Sequence, residues 1–302
     1  MILTASFTGT PCLTLAHYRS VVAAVERVGL DAALFVRGAA MLDAVPLIAA
    51  LASAPSSIGL GASIPVDYTE PFHLARAFAA VDRLTRGRSA VVFDIAAGID
   101  LAAAIGRSTP EADRIARILE FFETTTELWD SWEDDAILVD RPAGLFTDAN
   151  KIHRINHDGA YYAVRGPLNA PRPIQGWPVI FVPVTSDLSR AIAARVADVV
   201  LVPGVSADVV RDAGMAVRQH RDTVRVLADI EPVAAPEQLA AQIRAWYDAG
   251  VCDGFNLRLR PVPAEIEHLA DCIAALGRPR AADGVTLRER LDLPRPRSRY
   301  AG

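Results

Sequence analysis

The sequence alternates short apolar runs with longer segments of helical periodicity, and this pattern limits its fold more than any other feature. Eight runs have the length and composition of buried strands, and a helical segment follows each, directly or after a loop. The predicted strands are 2–7, 32–36, 58–64, 89–95, 179–182, 198–202, 224–230 and 254–259. Eight such units predict an α/β protein with a closed (β/α)8 TIM barrel, although periodicity alone leaves an open, doubly wound sheet possible.

The helical segments carry recognisable start and stop signals. Gly29 follows the first segment where a left-handed C-cap is common, and Pro110 stands in the first turn of the fourth, where its missing N–H costs nothing. The predicted helices are 13–28, 39–53, 71–84, 110–132, 187–196, 206–220, 236–249 and 263–276.

A long excursion separates the fourth helix from the fifth strand. Two extended runs, 152–157 and 161–164, flank Asp158-Gly159, a pair whose positive φ angles would form a tight hairpin turn. Three prolines between Gly166 and Pro173 then predict a stiff, extended connector. We expect one domain over residues 1–302, with 133–177 as this hairpin and Pro-rich excursion and 278–302 as a basic C-terminal arm lying on the barrel or on a partner subunit.

Composition narrows the class of protein. Hydrophobic residues make up 51% of the 302 residues and charged residues 22%, enough for a large core, and the net charge of −5 argues against a nucleic-acid surface. The cysteines, Cys12, Cys252 and Cys272, are scattered and unpaired in pattern, which indicates a reducing compartment. No secretory leader or membrane-spanning run is visible, so the sequence predicts a cytoplasmic protein that does not bind membranes.

Several ordered motifs resemble one family. The run from Lys151 to Ile180 reads K-I-H-x-I-x-H-x-G-x-Y-Y-x-V-x-G-P-L-N-x-P-R-P-x-Q-G-x-P-V-I, and further similarity lies in 70–76, 128–136, 253–257 and 286–291. These residues resemble the bacterial-luciferase-like, flavin-dependent monooxygenases, in the branch of nitrilotriacetate monooxygenase component A and dibenzothiophene-sulfone monooxygenase. The family has a TIM-barrel fold, which agrees with the strand count.

The resemblance implies a two-component enzyme that binds reduced flavin mononucleotide (FMN), supplied by a flavin reductase, at the C-terminal ends of the strands. With oxygen, it would oxidise a small organic substrate. A homodimer is also implied. The positions that match the family's cofactor contacts are Thr185, Ser186, Asp67, Ser63, Arg37 and Val92.

Several of these positions depart from the family pattern. The family has Asp where this chain has Arg37, Asn where it has Val92, and Gly where it has Val184. Each change removes a polar contact or adds bulk near the expected flavin. Two functions therefore stay open. The resemblance favours a flavin-dependent monooxygenase, and the replaced contacts favour a cofactor-poor barrel that acts as a non-catalytic subunit or a small-molecule binding protein.

The remaining polar motifs give weaker signals. His153 and His157 are four residues apart but lie in an extended run, so a structural role is favoured over a metal site. His73 stands at a helix start, where packing is favoured over catalysis. Asp67, Arg37 and Arg260 follow predicted strands and could bind an acidic ligand or pair with one another. A further motif, Glu133-Asp134-Asp135, predicts a solvated helix end, and no residue is identified as catalytic.

Overall fold

The architecture comes from a computed structural model, which describes residues 1–8, 14–36, 42–54, 57–95, 106, 111–232, 235–278 and 285–300. Of the expected site residues, Arg37 lies outside these ranges. The start of the fourth predicted helix at Pro110 also lies outside them.

The described residues form twelve strands, of which eight build a barrel. The strands are β1 (Ile2–Thr8), β2 (Ala32–Val36), β3 (Gly59–Pro65), β4 (Ser89–Asp94), β5 (Ile137–Asp140), β6 (Leu145–Thr147), β7 (His157–Asp158), β8 (Ala163–Val164), β9 (Val179–Pro183), β10 (Val199–Pro203), β11 (Arg225–Ile230) and β12 (Gly254–Leu259). The barrel closes in the order β1-β12-β11-β10-β9-β4-β3-β2, with every neighbouring pair parallel. The predicted (β/α)8 barrel is confirmed, and the open sheet is excluded.

Ten α-helices lie within the described ranges. They are α1 (Leu15–Val28), α2 (Ala44–Leu51), α3 (Pro71–Leu84), α4 (Glu111–Asp130), α5 (Asp187–Val196), α6 (Ala207–Arg218), α7 (Pro236–Asp248), α8 (Pro263–Glu267), α9 (Ala270–Ala275) and α10 (Leu287–Arg290). Gly29 caps α1 at φ 86°, as predicted. The last predicted helix is wrong in one respect, because its segment is divided between α8 and α9, separated by His268 and Leu269.

Side chains alternate between two cores along each barrel strand. Leu3, Ala5 and Phe7 of β1 pack outward against the surrounding helices in the larger core. The smaller core fills the lumen, and its members are Ile2, Ala32, Leu34, Ala90, Val92, Val179, Phe181, Val199, Leu201, Leu227, Leu287, Leu291 and Leu293. The lumen is therefore a packed interior through much of its length and not a pore.

Helix α10, which the sequence did not predict, closes the N-terminal end of the barrel. Thr286 and Glu289 form a capping box at its start, and its Leu287 enters the lumen core. An added Cβ at Gly59 would lie 2.7 Å from Leu287 Cδ1, so glycine makes room for this plug. The buried Arg288 anchors the helix by donating to Asp198 at 2.6 Å and to the Trp177 carbonyl at 2.8 Å.

The excursion contains the predicted hairpin in shortened form. Strand β7 pairs antiparallel with β8, and Gly159 N–H donates to the Tyr162 carbonyl at 2.9 Å across the turn. The predicted positive φ angles at Asp158 and Gly159 are wrong, since neither residue has one. Asp158 pairs with Ala163, so the turn spans four residues, 159–162, and is not a two-residue Asp158-Gly159 turn. A carboxylate of α4 holds this turn from outside.

That carboxylate belongs to Glu120. It accepts the backbone N–H groups of Ala160, Tyr161 and Tyr162 at 3.1, 2.9 and 2.7 Å. Burial pushes the pKa of Glu120 upward, but these amides and His157 outweigh it, and its pKa lies below the ordinary value. The excursion is thus fixed onto α4 by charge-assisted hydrogen bonds.

The C-terminal arm lies along the same helix. Arg295 donates to both oxygens of Asp134 at 2.9 and 2.6 Å, and Arg299 donates to Glu127 at 2.9 Å. Tyr300 stacks on His153 with ring centroids 3.9 Å apart. Arg295 and Arg299 of the arm therefore pair with acids of the same chain. No helix in the described ranges is both long and apolar enough to cross a membrane.

Candidate functional site

The C-terminal ends of the barrel strands form the mouth of the barrel, and its two sides differ in chemistry. We call the lumen-facing residues Thr4, Ser6, Asp229, Asn256 and Arg258 of β1, β11 and β12 the polar side. We call those of β4, β9 and β10, which include Val92, Phe181 and Leu201, the apolar side. Active sites of this fold form at this end of the strands, so the mouth is the candidate site.

Asn256 is the centre of the polar side. Its Oδ1 accepts the Thr4 hydroxyl at 2.7 Å, and its Nδ2 donates to Ser6 Oγ at 2.9 Å and to Asp229 Oδ1 at 2.7 Å. Asn256 and Thr4 are fully buried and Ser6 is nearly so. Because buried polar groups are costly without partners, this network has one well-defined arrangement, and it fixes the orientation of the Asp229 carboxylate.

Asp229 is the residue where this network reaches the mouth. Its side chain is 18% exposed, and its Oδ2 lies 3.9 Å from Arg258 Nε, beyond hydrogen-bond distance. Burial raises the pKa of Asp229 above its ordinary value, although the Asn256 hydrogen bond and the Arg258 charge lower it. A buried carboxyl with a raised pKa in a cleft is a candidate functional group.

Arg258 lies one layer above Asn256 and faces two acids. Its Nη2 is 3.7 Å from Glu231 Oε1, and no described residue accepts a hydrogen bond from its guanidinium. Together with Thr8 and residues of α8 and α9, Arg258 lines a cavity of about 1150 Å³ at the rim. The cavity is large enough for a small organic molecule.

On the apolar side, the lumen-facing residues of β4, β9 and β10 are apolar except at the end of β4, where Asp94 follows Ala90 and Val92 on the same face. Val92 and Phe181 are completely buried and pack in the lumen core. The structure therefore places Val92 beneath the mouth as a packing residue, and any contact with a ligand there stays a prediction.

At the rim of the apolar side, the residues after β9 form a polar corner. Thr185 and Ser186 are exposed at the start of α5, which has ten residues. Their backbone N–H groups both donate to Ser189 Oγ at 2.9 Å, and Ser186 Oγ caps the helix by accepting from Ser189 N–H. A helix N-terminus with adjacent hydroxyls favours an anion, although Ser189 occupies two of the amides.

Ser63 lies near the end of the third barrel strand and Asp67 just after it, as predicted. Asp67 is almost fully buried and accepts Arg114 Nη2 at 2.7 Å, so it forms a structural ion pair. Arg260 likewise pairs with Glu265, with its Nε 3.0 Å from Glu265 Oε2. Asp67 and Arg260 do not pair with each other, and the alternative of a directly available acidic-ligand site is not supported for them.

Ser63 lines a second cavity, of about 600 Å³, between the ends of β2 and β3 and the helices α2 and α3. Its described lining is mostly apolar and includes Val36, Phe78 and the exposed His73. His73 therefore faces a cavity beside the mouth, in addition to its place in the first turn of α3.

The other predicted polar motifs are engaged in structural contacts. His153 Nε2 lies 2.7 Å from Glu133, and His157 Nδ1 lies 2.9 Å from Glu127. Within the described ranges no cluster of three or more potential metal ligands occurs. Residues 133–135 follow the end of α4, and Asp134 and Asp135 are exposed, as the prediction of a solvated motif requires. Each of the three acids also contacts a basic side chain from the excursion or the arm.

The polar side was not identified from the sequence. A usable signal was present, because Asn256 and Arg258 occupy alternate positions of a strand and therefore share a face, as do Thr4 and Ser6. Their contact with Asp229 depends on pairing β1, at the start of the sequence, with β12, which lies beside β11 near its end. Only barrel closure reveals it.

Comparison with known proteins gives a consistent result. A family profile described as luciferase-like monooxygenase matches residues 3–288. The chain is 35% identical to a component of pristinamycin IIA synthase of Streptomyces pristinaespiralis, over 96% of this chain and 94% of that protein. It is 28% identical to N-acetyl-S-(2-succino)cysteine monooxygenase of Bacillus subtilis (strain 168), over 84% of this chain and 82% of that protein.

Other relatives match this chain over a smaller share of their own length. The chain is 41% identical to nitrilotriacetate monooxygenase component A of Aminobacter aminovorans, but the match covers 56% of this chain and 38% of that protein. Among solved structures, a long-chain alkane monooxygenase superposes with a TM-score of 0.87 at 18% identity, covering 97% of this chain and 95% of that one. At this identity the superposition shows a shared fold.

Proposed function

The chain belongs to the luciferase-like monooxygenase family, and on that premise we propose that it is a two-component, FMN-dependent monooxygenase that oxidises a small organic substrate with O2. The observation that carries the proposal is the family match over residues 3–288, because it runs through all eight barrel strands. The comparisons do not favour the alternative of a non-catalytic barrel, since several of the matched relatives are named monooxygenases.

The mouth contains groups that fit a flavin mononucleotide. Thr185 and Ser186 present exposed hydroxyls at the positive end of α5, which suits a phosphate monoester. The cavity beside the mouth, which is mostly apolar and is lined by Val36 of β2 and Ser63 of β3, suits a flat ring that needs few polar contacts. Asp67 would act indirectly, by holding Arg114 beside the Ile95 carbonyl at 2.7 Å.

In this arrangement each side of the mouth has a separate task. The Thr185 and Ser186 hydroxyls would donate to the phosphate, and rotation of Ser189 Oγ would release two backbone N–H groups for the same anion. The packed apolar side would keep water from the reacting centre. Reduced flavin, when bound, supplies the activation of oxygen. The rigid polar side, Asp229 and Asn256 above all, would orient the substrate.

Two partners follow from the same proposal. The name of the nitrilotriacetate relative includes "component A", which supports a separate flavin reductase that supplies the reduced cofactor. We also propose a homodimer, which the family resemblance implies, and a cytoplasmic location, which the cysteine pattern predicts.

A flavin titration tests the proposal. Oxidised FMN, and reduced FMN under anaerobic conditions, are titrated into the protein and followed by fluorescence or absorbance. We expect a Kd in the micromolar range, corresponding to about −8 kcal/mol. The double change Thr185→Ala and Ser186→Ala should raise the Kd about tenfold or more, because two donors to a charged phosphate are lost.

Ser206→Ala is the matched control. Ser206 caps α6 as Ser186 caps α5, accepting from Val209 N–H, but it belongs to the next barrel unit. It should cost a similar amount of stability, about 1 kcal/mol, and leave the flavin Kd unchanged. Absence of binding at hundred-micromolar flavin would overturn the proposal, and so would binding that the double change leaves unaffected.

A further inference from the structure

We propose that the polar side of the mouth selects a substrate carrying a protonated amine, which binds the Asp229 carboxylate at Oδ2. This rests on the proposed function, because it names the substrate class that such a monooxygenase would accept. The argument depends on three observations: the fixed geometry of Asp229, the excess of carboxylates around the adjoining cavity, and the character of the cavity wall.

The two carboxylate oxygens of Asp229 differ, because only Oδ1 accepts a hydrogen bond from a described residue. Oδ1 accepts the Asn256 amide at 2.7 Å, and Asn256 is itself held by Thr4 and Ser6. Oδ2 accepts no hydrogen bond from any described residue, and its nearest cation, Arg258 Nε, is 3.9 Å away. A carboxylate that is largely buried needs a donor or a counter-charge, so this oxygen is prepared for a cationic N–H group.

The charges around the rim cavity leave an excess of acids. Two of its carboxylates are neutralised locally, because Glu265 pairs with Arg260 and Glu267 pairs with Arg27. Of the remaining described acids, Glu231 and Asp271 line the cavity and Asp229 lies next to its Arg258. Arg258 is near Asp229 and Glu231, and no ion pair of Asp271 occurs within the described residues. An added positive charge is therefore favoured electrostatically, and an added anion would meet carboxylates on several sides.

The Arg258 side chain can move aside for such a ligand. It is 48% exposed, and its contacts of 3.9 Å to Asp229 and 3.7 Å to Glu231 are too long for hydrogen bonds. The contact with Glu231 is exposed on both sides and contributes little, so the ligand's ammonium group has mainly to replace Arg258 as the counter-charge of Asp229. Arg258 lines the cavity and its Nε lies 3.9 Å from Asp229 Oδ2, so a ligand nitrogen that took the place of the guanidinium would approach that oxygen.

The cavity wall also defines the rest of the ligand. Pro232, Leu259 and Leu269 contribute apolar surface to the cavity of about 1150 Å³. An amine that carries an apolar group would therefore bury its carbon part against this wall while its nitrogen reaches Asp229. The expected class is a small, apolar primary or secondary amine.

Three matched probes test the inference without flavin or turnover. Benzylamine, benzyl alcohol and benzoate have the same ring and differ in charge, and each is titrated near neutral pH by calorimetry and ligand-observed NMR. We expect benzylamine, present as its ammonium ion, to bind about tenfold or more tightly than benzyl alcohol, and benzoate to bind most weakly.

Two variants assign the effect to residues. Asp229→Asn keeps an oxygen for Asn256 but removes the charge, so it should abolish the preference for benzylamine over benzyl alcohol. Arg258→Gln removes the competing cation and should strengthen benzylamine binding several-fold. Asp208→Asn, an exposed acid on α6 whose side chain is 84% exposed, is the matched control and should change neither result.

The outcomes are distinguishable. Benzylamine preference that is lost in Asp229→Asn and enhanced in Arg258→Gln supports the inference. A preference for benzoate that is lost in Arg258→Gln would overturn the inference and indicate an anion-binding site. Equal binding of all three probes would also overturn it and would indicate that the polar network has only a structural role. Flavin titration is a separate measurement, so failure of the amine site and failure of the cofactor proposal are not confused.

Discussion

The polar and apolar sides of the barrel lumen are both buried, but different interactions stabilise them. On β1, β11 and β12, the inward positions hold Thr4, Asn256 and Asp229, which are satisfied by directional hydrogen bonds. On β4 and β9, they hold Val92 and Phe181, which are satisfied by contact alone. The first arrangement fixes the orientation of a charged group at the mouth, whereas the second only excludes water.

The difference has consequences for mutation. An apolar residue that is truncated loses contacts in proportion to the volume removed. A residue at the centre of a hydrogen-bond network leaves its partners unsatisfied, so the loss exceeds its own bonds. Substitutions on the two sides should therefore change the stability of the protein by different amounts. Three experiments compare the two sides.

The largest effect is expected on the apolar side. Phe181→Ala should lower the free energy of unfolding by about 3–5 kcal/mol, because the ring is completely buried in the lumen core. Urea denaturation measures the change. Val205→Ala, at a position that is 82% exposed, serves as control and should stay within about 0.5 kcal/mol of the parent. A loss as small as that of the control would show that this side is not a packed core.

A somewhat smaller effect is expected on the polar side. Asn256→Ala removes three hydrogen bonds and leaves Thr4, Ser6 and Asp229 without their partner, so unfolding should become easier by about 2–4 kcal/mol. Thr4→Val removes one of the three and should cost about 1 kcal/mol. Equal losses for the two variants would mean that the Thr4 bond accounts for the whole contribution of Asn256, and that its bonds to Ser6 and Asp229 add no stability.

The smallest effect is expected for the pH dependence of stability that arises from the ionisation of Asp229. Burial raises the pKa of Asp229, so a ¹³C titration of its carboxyl should give a midpoint above the ordinary aspartate value of about 3.9. A group with a raised folded-state pKa contributes stability that is present below the unfolded pKa and is lost as pH rises through the folded value. Asp229→Asn should therefore gain stability relative to the parent as pH rises from about 4.

Arg258 gives this last experiment an internal check. Its charge lowers the pKa of Asp229, so Arg258→Gln should move the carboxyl midpoint higher still. A midpoint at or below the ordinary value, or one insensitive to Arg258, would contradict the electrostatic description of the polar side.

Much of the fold could be predicted from local patterns. Helix α3 and strand β12 begin and end where the sequence indicated, because buried strands and amphipathic helices have periodicities that depend only on nearby residues. Helix α10 was missed, since a four-residue helix has too few turns to show a period. The hairpin turn was predicted with the wrong backbone angles, because Asp158 pairs with Ala163 and leaves a four-residue turn, which a carboxylate of α4 holds in place.

The site was predicted less completely than the fold. Thr185 and Ser186 do lie at the rim, since the order of strand, hydroxyl pair and helix is local. Asp67 was placed at the correct strand end, but its pairing with Arg114 could not be foreseen. The charged group that now defines the polar side, Asp229, was not identified at all.

The sequence by itself determined the eight strand and helix units and therefore the barrel, because apolar periodicity specifies which face of each element is buried. It also carried the family resemblance, through ordered motifs that need no three-dimensional information. Only the tertiary structure decided which inward residues meet. Thr4 and Asn256 are separated by 252 positions, and they come within 2.7 Å because closing the barrel pairs the first strand with the last.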